Sequence, residues 1–551
     1  MLEDDVRSRV LAWRDDDPDS STVEATDALL AAADGGDVDA EARLRSAFGP
    51  FLSFGTAGLR GALGPGPSHM NRAVVSRAAA GIAQYLLQHN GSSAVIGYDA
   101  RHRSLDFAID TAEILTGAGI RAFVMPTVLP TPLLAFAIRA LEVDAGIMVT
   151  ASHNPAQDNG YKVYLGDGSQ IIPPTDAEIA EQIARVSSVA SLPRGEGFSM
   201  LTHDIVDAYV NAASSLVAPD APRAIRVVST SMHGVGHEVW MAAMRAAGFR
   251  VPSVVTAQAA PDPDFPTVAF PNPEEPGAAD LLLAHAAAEH ADIAIAHDPD
   301  ADRCAAGVFD PRNGAWRLLT GDELGTLLAW WTIERTRRFR LPAPTGVLAD
   351  SIVSSTLLHR LATAEGLRSQ QTLTGFKWIA RVPDLEFGYE EALGYCVAPQ
   401  LVADKDGISA GLRIVEMAAS LKAEARTLLD ALDAIYGRFG LHATSQLSLR
   451  IDDPAAILAA VERVRTSPPK TLGGETVSSC EDLSNGVDGL PPTEGLRLRT
   501  ANSQVIVRPS GTEPKLKCYL QFVTDPDGSA RDRADAAIAR MQQEIRHALG
   551  L

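Results

Sequence analysis

The stretch VTASHNPAQDNGYK, Val149 to Lys162, leaves an apolar run, sets a serine between a small residue and a histidine, and closes on Asn-Gly and a lysine. Thr, Ser and Asn-Pro at a strand exit are ordinary turn chemistry, so Ser152 taken alone is a turn residue more often than a nucleophile. No G-x-S-x-G elbow surrounds it, which removes the usual hydrolase arrangement. Its meaning depends on what precedes it and what else the chain carries.

Upstream of Ser152, AVIGYDAR, LDFAIDTAEILTGAG and RAFVMP lead to AGIMVTASHNP, an order of strand, loop, helix, strand, helix, strand and loop. The same order returns in IRVVSTSMHGVG, EVWMAAMRAAG and ADIAIAHDPDADR, and again in TGVLADSIVSS, LLHRLATAEG, QQTLTGFKW and LEFGYEEALGY. Strands alternating with helices imply parallel sheets covered on both faces, with ligands gathering at the carboxyl ends of the strands. In each copy the last strand opens onto the least regular loop. The tail differs: HATSQLSLRI, the helical PAAILAAVERVR, GLRLRT, SQVIVRPSGTEPKLKCYLQFV and RADAAIARMQQEIRHAL suggest a small α+β domain. The expected domains are 1–212, 213–322, 323–440 and 441–551.

At 551 residues the chain is too long for one core, and 46% hydrophobic with 21% charged residues is ordinary globular composition. A formal net charge of −21 argues against nucleic acid and anionic membranes as partners, so an anionic substrate needs a local basic pocket. Cys304, Cys396, Cys480 and Cys518 are widely spaced with no C-x-x-C pair, which fits a reducing cytoplasm rather than a disulfide framework or zinc site. The start, MLEDDVRSRV, is acidic where a signal peptide is basic and then apolar, and no run approaches a membrane span, so neither export nor anchoring is expected.

The second copy ends in HDPDADRC, where Asp298, Asp300 and Asp302 alternate after an apolar strand. Three carboxylates on so short a loop repel one another unless a cation compensates, and hard oxygen ligands suit Mg²⁺. An EF-hand is excluded, because Arg303 stands where that loop needs glycine and Phe309 where it needs glutamate. RPSGTEPK is either a Pro/Gly hairpin turn or a phosphate site, in which the Arg508 guanidinium, the Ser510 and Thr512 hydroxyls and the backbone around Gly511 offer a dianion a fork and a nest of donors. FGTAGLRG, with Thr56 and Arg60, is a tight turn or a phosphate-approaching loop. TGFKW brings Lys377, GYEEALGY brings Glu390 and Glu391, either acceptors for sugar hydroxyls or surface charges, and DKDG brings Lys405.

Taken in order, with TASHNP followed at this separation by DPDADR, the set resembles the α-D-phosphohexomutases, the phosphoglucomutase and phosphomannomutase superfamily. The resemblance covers nearly the whole chain. It implies three related α/β mixed-sheet domains and a C-terminal α+β domain of the TATA-binding-protein-like type around a central cleft. It implies that Ser152 is carried as phosphoserine, that Asp298, Asp300 and Asp302 hold Mg²⁺ with a phosphoserine oxygen, and that Arg303 sits beside them. Glu390, Lys377 and Thr56 would meet the substrate, and Arg508, Ser510, Gly511 and Thr512 would grip the phosphate that is not transferring. His153, Lys162, Arg60 and Lys405 match positions near the reacting phosphoryl group. The implied activity interconverts the 1- and 6-phosphates of glucose, mannose or both, with a bisphosphate such as glucose 1,6-bisphosphate as activator.

One departure bears on the sugar. Classical phosphoglucomutases carry Glu-Glu-Ser at the sugar loop, whereas this chain has Glu390, Glu391 and Ala392. With TGFKW, this is closer to the branch that includes phosphopentomutases, so ribose or deoxyribose 1-phosphate is the alternative substrate. Two rivals stand further off: an aspartyl-phosphate enzyme of the haloacid-dehalogenase type, whose D-x-D motif belongs on an early strand, and a non-catalytic sugar-phosphate sensor. The sequence assigns no role to His233 and no oligomeric state.

Overall fold

The computed structural model describes residues 2–451, 453–510 and 515–550, in two compact units: Met1–Leu318 with Gly394–Ala419, and Leu319–Leu393 with Ser420–Leu551. The first unit opens with three helices, Asp4–Asp16, Ser20–Asp34 and Val38–Ala47, around a small core of Val10, Leu30, Leu44 and Phe48. The sequence patterns above did not include this segment. Asp19 and Asp37 cap the second and third helices by accepting from backbone N–H groups, which is why each starts where it does.

A six-stranded sheet follows, in the order Leu59–Ala62, Asp158–Leu165, Ala145–Val149, Ser93–Tyr98, Arg121–Val124, Ser199–Met200. Ser93–Tyr98 and Ala145–Val149 are buried throughout and read as continuous apolar runs, because helices cover both faces of the sheet. A second sheet has the order Ala315–Leu318, Cys304–Asp310, Ile293–His297, Val227–Thr230, Ser253–Val254.

Neither sheet is purely parallel, contrary to what alternation alone implies. Ala145–Val149 is answered by antiparallel Asp158–Leu165, and Ile293–His297 by antiparallel Cys304–Asp310. The reason is length: the Ser152 and Asp298–Asp302 loops are too short for a parallel crossover, which needs a dozen residues or more, so the chain turns back on itself. The return has a chemical result, since it sets Lys162 opposite Met148, inside the protein and one turn away from Ser152.

In the second unit, Arg368–Thr372, Val347–Ser351 and Leu385–Glu390 pair in parallel in that order. The helix Gly321–Arg338 begins at a capping box, Thr320 with Glu323. The C-terminal sheet is antiparallel, in the order Leu441–Arg450, Lys515–Thr524, Ser503–Pro509, Leu496–Arg499, Ser479–Asp482. Val461, Leu498, Val507, Cys518 and Ile545 close the core between that sheet and the helices Pro454–Thr466 and Ala530–Leu549. Among the described residues no helix is long and apolar enough to cross a membrane.

The turn holding His233 supports the acidic loop from behind. Val235 N–H donates to Pro299 O at 2.8 Å, and a Cβ added at Gly234 would stand 2.2 Å from Pro299 Cα. His233 itself is buried, with Nε2 2.8 Å from Thr267 Oγ1, a turn-organising contact. Gly234→Ala is expected to cost about 1–3 kcal/mol of stability through overpacking against Pro299, read as a lower midpoint of thermal unfolding. A midpoint equal to the parent's would contradict the close approach.

Candidate active site

Strand Ala145–Val149 delivers Thr150 to His153 at its carboxyl end. Ser152 adopts φ 53°, a left-handed conformation that a residue with a Cβ takes only when its surroundings impose it. Thr150 Oγ1 accepts from Ser152 N–H at 2.9 Å. The Ser152 hydroxyl is buried, donates to Asp298 Oδ2 at 3.2 Å and lies 3.2 Å from His153 Nδ1. Burial, with Arg303 and Arg60 nearby, holds the His153 imidazole well below its ordinary pKa and so neutral.

The acidic loop leaves Ile293–His297 in the same way. Ala301 has φ 52°, Arg303 N–H donates to Asp298 Oδ1 at 3.0 Å, and the ligand atoms of Asp298, Asp300 and Asp302 lie within 4.8 Å of one another. All three carboxylates are buried. Lys162 Nζ donates to Asp300 Oδ2 at 2.7 Å and to Asp302 Oδ2 at 2.9 Å, and Lys405 Nζ lies 3.3 Å from Asp302 Oδ2. Thr131 Oγ1 donates to Asp300 Oδ2 at 2.6 Å.

Two ammonium groups therefore meet two of the three carboxylates, Asp300 and Asp302, at contact distance. Burial pushes the Asp298 carboxyl well up, and Asp300 and Asp302 push it further. Burial also acts to raise Asp302, but Lys162, Lys405 and Arg303 outweigh it and hold that carboxyl well below the usual range. The Lys162 ammonium, disfavoured by burial, is kept charged by Asp300 and Asp302. Asp300 Oδ1 and Asp302 Oδ1 are buried without a hydrogen-bond partner. Hard, anionic, unsatisfied oxygens on one loop fit a divalent cation such as Mg²⁺.

Arg60 stands on Leu59–Ala62 opposite Gly160; burial lowers its pKa, against the fields of Asp300 and Asp302. Thr56 lies in the turn before that strand, closed by the Gly58 N–H bond to Gly55 O at 2.8 Å. Gly58 has φ 74°, and a Cβ there would meet Tyr161 O at 1.8 Å, so the turn requires glycine. Arg303 pairs with Glu274 at 3.3 Å. Ser152, His153, Lys162, Arg60, Arg303, Lys405 and the three aspartates thus share the first unit.

The remaining candidates belong to the second unit. Glu390 ends the strand Leu385–Glu390 and accepts from Gly375 N–H at 2.8 Å; Lys377 sits in the short helix Phe376–Ile379 directly after that glycine. Glu391 accepts from Ser351 Oγ at 2.9 Å and Ser354 Oγ at 3.3 Å, and burial, with Glu390 and Asp322 nearby, pushes its carboxyl up to about 7. It is a supporting group rather than an open acceptor. Arg508 lies on Ser503–Pro509 opposite Lys517, and Ser510 N–H donates to Lys515 O at 2.8 Å. Gly511 and Thr512 lie outside the described residues.

Sequence reasoning did not single out Arg101, Thr131, Asp404 or Glu274. Arg101 stood within AVIGYDAR, a strand exit of the same kind as TASHNP, which was the available signal. Asp404 accepts from Tyr164 OH at 3.0 Å and Gln170 Nε2 at 2.8 Å while receiving Lys405 N–H at 2.8 Å, contacts that only the folded chain reveals.

Comparison with known proteins agrees along the chain. Family models described as phosphoglucomutase/phosphomannomutase alpha/beta/alpha domains I, II and III match residues 52–190, 207–312 and 320–439, and the C-terminal domain matches 448–545. A Haemophilus influenzae protein named "Probable phosphomannomutase" is 43% identical over 486 residues, covering 87% of this chain and 98% of that protein. The Homo sapiens phosphopentomutase is 35% identical over 573 aligned positions, 94% of this chain and 91% of that protein. Among solved structures, a phosphoglucomutase/phosphomannomutase family protein from Burkholderia thailandensis shares the fold at TM-score 0.68 and 20% identity, covering 90% of this chain and 96% of that one. An Aspergillus fumigatus N-acetylphosphoglucosamine mutase does so at TM-score 0.52 and 14% identity, covering 91% and 96%. The chain belongs to the phosphoglucomutase/phosphomannomutase family and is an intramolecular phosphotransferase of that type, an isomerase.

Proposed function

We propose that the enzyme interconverts the 1-phosphate and 6-phosphate of a hexose, glucose or mannose or both, through phosphoserine at Ser152 and a sugar bisphosphate. The observation that carries this reading is the Ser152 hydroxyl, 3.2 Å from Asp298 Oδ2, beside a carboxylate cluster already served by Lys162 and Lys405. Phosphoryl transfer depends on charge neutralisation and alignment more than on a strong nucleophile. Asp298, Asp300 and Asp302, with an oxygen of the phosphorylated Ser152, would hold Mg²⁺, whose charge offsets the negative charge gathering on the transferring group. The related Aspergillus mutase was solved with GlcNAc-6P and magnesium, which supports both ligand classes.

In the first transfer the Oγ–P bond of phosphoserine breaks and an O–P bond forms at the free hydroxyl of the sugar monophosphate, whose proton ends on Ser152 Oγ. The bisphosphate then returns its other phosphoryl group by the reverse exchange, and His153 Nδ1, 3.2 Å from Oγ, is placed to carry that proton. Lys162, Lys405, Arg303 and Arg60 surround the transferring group with positive charge. Glu390 accepts from sugar hydroxyls, with Lys377 and Thr56 as further substrate contacts. Arg508, Ser510, Gly511 and Thr512 hold the idle phosphate, which must be accepted from either end of the bisphosphate. Glucose 1,6-bisphosphate or its equivalent primes the unphosphorylated enzyme. The four free cysteines, three of them buried, accord with a reducing cytoplasm as its compartment.

A second reading, pentose 1- to 5-phosphate, is favoured by Ala392 in place of the sugar-loop serine and by the long match to the human phosphopentomutase. Measuring kcat/KM for glucose, mannose, ribose and deoxyribose 1-phosphates in one assay separates the two. A hexose preference of about tenfold or more is expected, the discrimination that one carbon unit brings to a fitted pocket. A pentose preference of that size would replace the hexose reading with the second. Chelation is expected to stop turnover reversibly, and Asp300→Asn to lower kcat by about 10³-fold, several kcal/mol of lost charge stabilisation. Full activity in excess chelator would remove the metal from the account.

A further inference from the structure

Arg101 ends the turn after strand Ser93–Tyr98 and is 4% exposed. Its guanidinium is spent on one target. Nη2 donates to Ser152 O at 2.7 Å and Asn154 O at 2.5 Å, and Nη1 to Pro155 O at 2.8 Å and Asp158 O at 3.1 Å. Nε lies 3.4 Å from Asp99 Oδ2, and Asp99 is itself held by Arg101 N–H at 3.0 Å and Ser104 Oγ at 2.6 Å. The two terminal nitrogens of the fork are thus directed at four carbonyls between Ser152 and Asp158, while Nε makes no hydrogen bond and keeps only an ionic contact with Asp99.

The guanidinium also has a platform. Its carbon lies 4.9 Å from the centroid of the buried Phe265 ring. Phe265 belongs to a segment with six prolines between 261 and 276, which limits its backbone freedom. That segment also carries Asp264, 2.7 Å from His102 Nε2, and Glu274, which pairs with Arg303 beside the metal loop. One stiff stretch therefore contacts both the Ser152 loop clamp and the aspartate loop.

We infer that Arg101 is a positioning residue for phosphoryl transfer: it gathers four carbonyls of the Ser152 loop, holds Ser152 in its left-handed turn, and thereby aims Oγ at the aspartate cluster, with Phe265 fixing the guanidinium plane. The inference rests on Ser152 as the phosphorylated residue. Carbonyls drawn inward by Arg101 leave the Ser152 side chain turned toward Asp298, and a left-handed serine would otherwise relax to a common conformation. Lysine cannot substitute, because a single ammonium has three donors diverging from a point where four acceptors lie around a planar fork.

The test uses the full-length enzyme with Mg²⁺ and normalises turnover to phosphoserine content, measured by intact mass and peptide mapping after priming with glucose 1,6-bisphosphate. Wild type fixes the prior reading: a phosphate mapping anywhere but Ser152 would overturn the nucleophile assignment, and this inference with it. With the phosphate on Ser152, Arg101→Lys is expected to lower kcat per phosphoserine by about 10²-fold, the scale of a misplacement near 1 Å, while KM for the sugar phosphate stays within twofold. Phe265→Leu, which keeps the apolar contact and loses the π face, is expected to lower the same rate by about 3- to 30-fold, and Phe265→Tyr to restore it. A merely structural role for Arg101 would reduce the folded, phosphorylatable fraction but leave the rate per phosphoserine at the wild-type value; that result overturns the inference. Should Arg101→Lys fail to fold, the Phe265 pair decides, and equal per-site rates for Leu and Tyr overturn it equally.

Discussion

Three buried carboxylates on one short loop are the constraint around which the first unit is arranged. Two unit charges 4 Å apart interact by about 4 kcal/mol at the effective dielectric near a protein surface, so Asp298, Asp300 and Asp302 cannot share a buried site without compensation. Lys162 and Lys405 supply part of it by direct contact. What they leave is visible in the opposed behaviour of two neighbours: the Asp302 carboxyl is driven down by its cations, whereas Asp298, with burial and two anions against it, is driven up. Asp298 is also the carboxylate nearest the Ser152 hydroxyl. The cluster is polarised: the lysines lie against Asp300 and Asp302, each of which keeps one oxygen without a hydrogen-bond partner, while Asp298 accepts from the Ser152 hydroxyl and Arg303 N–H.

Backbone geometry makes that arrangement possible. Both chemical loops leave the carboxyl end of a buried strand, take a left-handed turn at Ser152 or Ala301, and return antiparallel. The return strand places Lys162 within reach of both Asp300 and Asp302, and Thr131 fastens Asp300 from the helix Thr131–Ala140. Left-handed turns at residues with a Cβ are unfavourable by about 1–2 kcal/mol each, and the neighbouring contacts offset that cost. Arg101 holds one turn through four carbonyls. The other turn is held by Gly407 N–H to Ala301 O at 3.2 Å and Thr131 N–H to Asp300 O at 3.0 Å.

Much of this was legible in the linear chain. The repeated order of strand, helix and irregular loop marks the α/β sheets, because buried strands and amphipathic helices have different hydrophobic periods. The triple-aspartate loop marks a candidate cation site, because the carboxylates fall within five residues of one another and the fold brings their oxygens within 4.8 Å. The antiparallel returns were not legible: the Asn159-Gly160 pair, a turn signal in the sequence, lies inside the strand Asp158–Leu165 rather than at the turn before it. The N-terminal helices were missed because their apolar residues are sparse, with a core of few side chains. Arg101 escaped notice because its partners are backbone carbonyls, which leave no trace in side-chain identity. Lys405 was recognised, yet its support by Asp404, and through it by Tyr164 and Gln170, depends on residues more than two hundred positions apart.

The central claim is that Ser152, rather than an aspartate of the acidic loop, carries the transferring phosphoryl group. A phosphoserine is an ester that survives acid and neutral hydroxylamine, whereas a phosphoaspartate is an acyl phosphate that hydroxylamine cleaves. Labelling the enzyme with a radioactive sugar bisphosphate, denaturing it, treating it with neutral hydroxylamine and mapping the peptides therefore tests the claim directly. The account predicts that the label persists on the peptide containing Ser152 and is absent from Ser152→Ala. Loss of the label with a hydroxamate at Asp298 or Asp300 would contradict it and make the acidic loop the nucleophile.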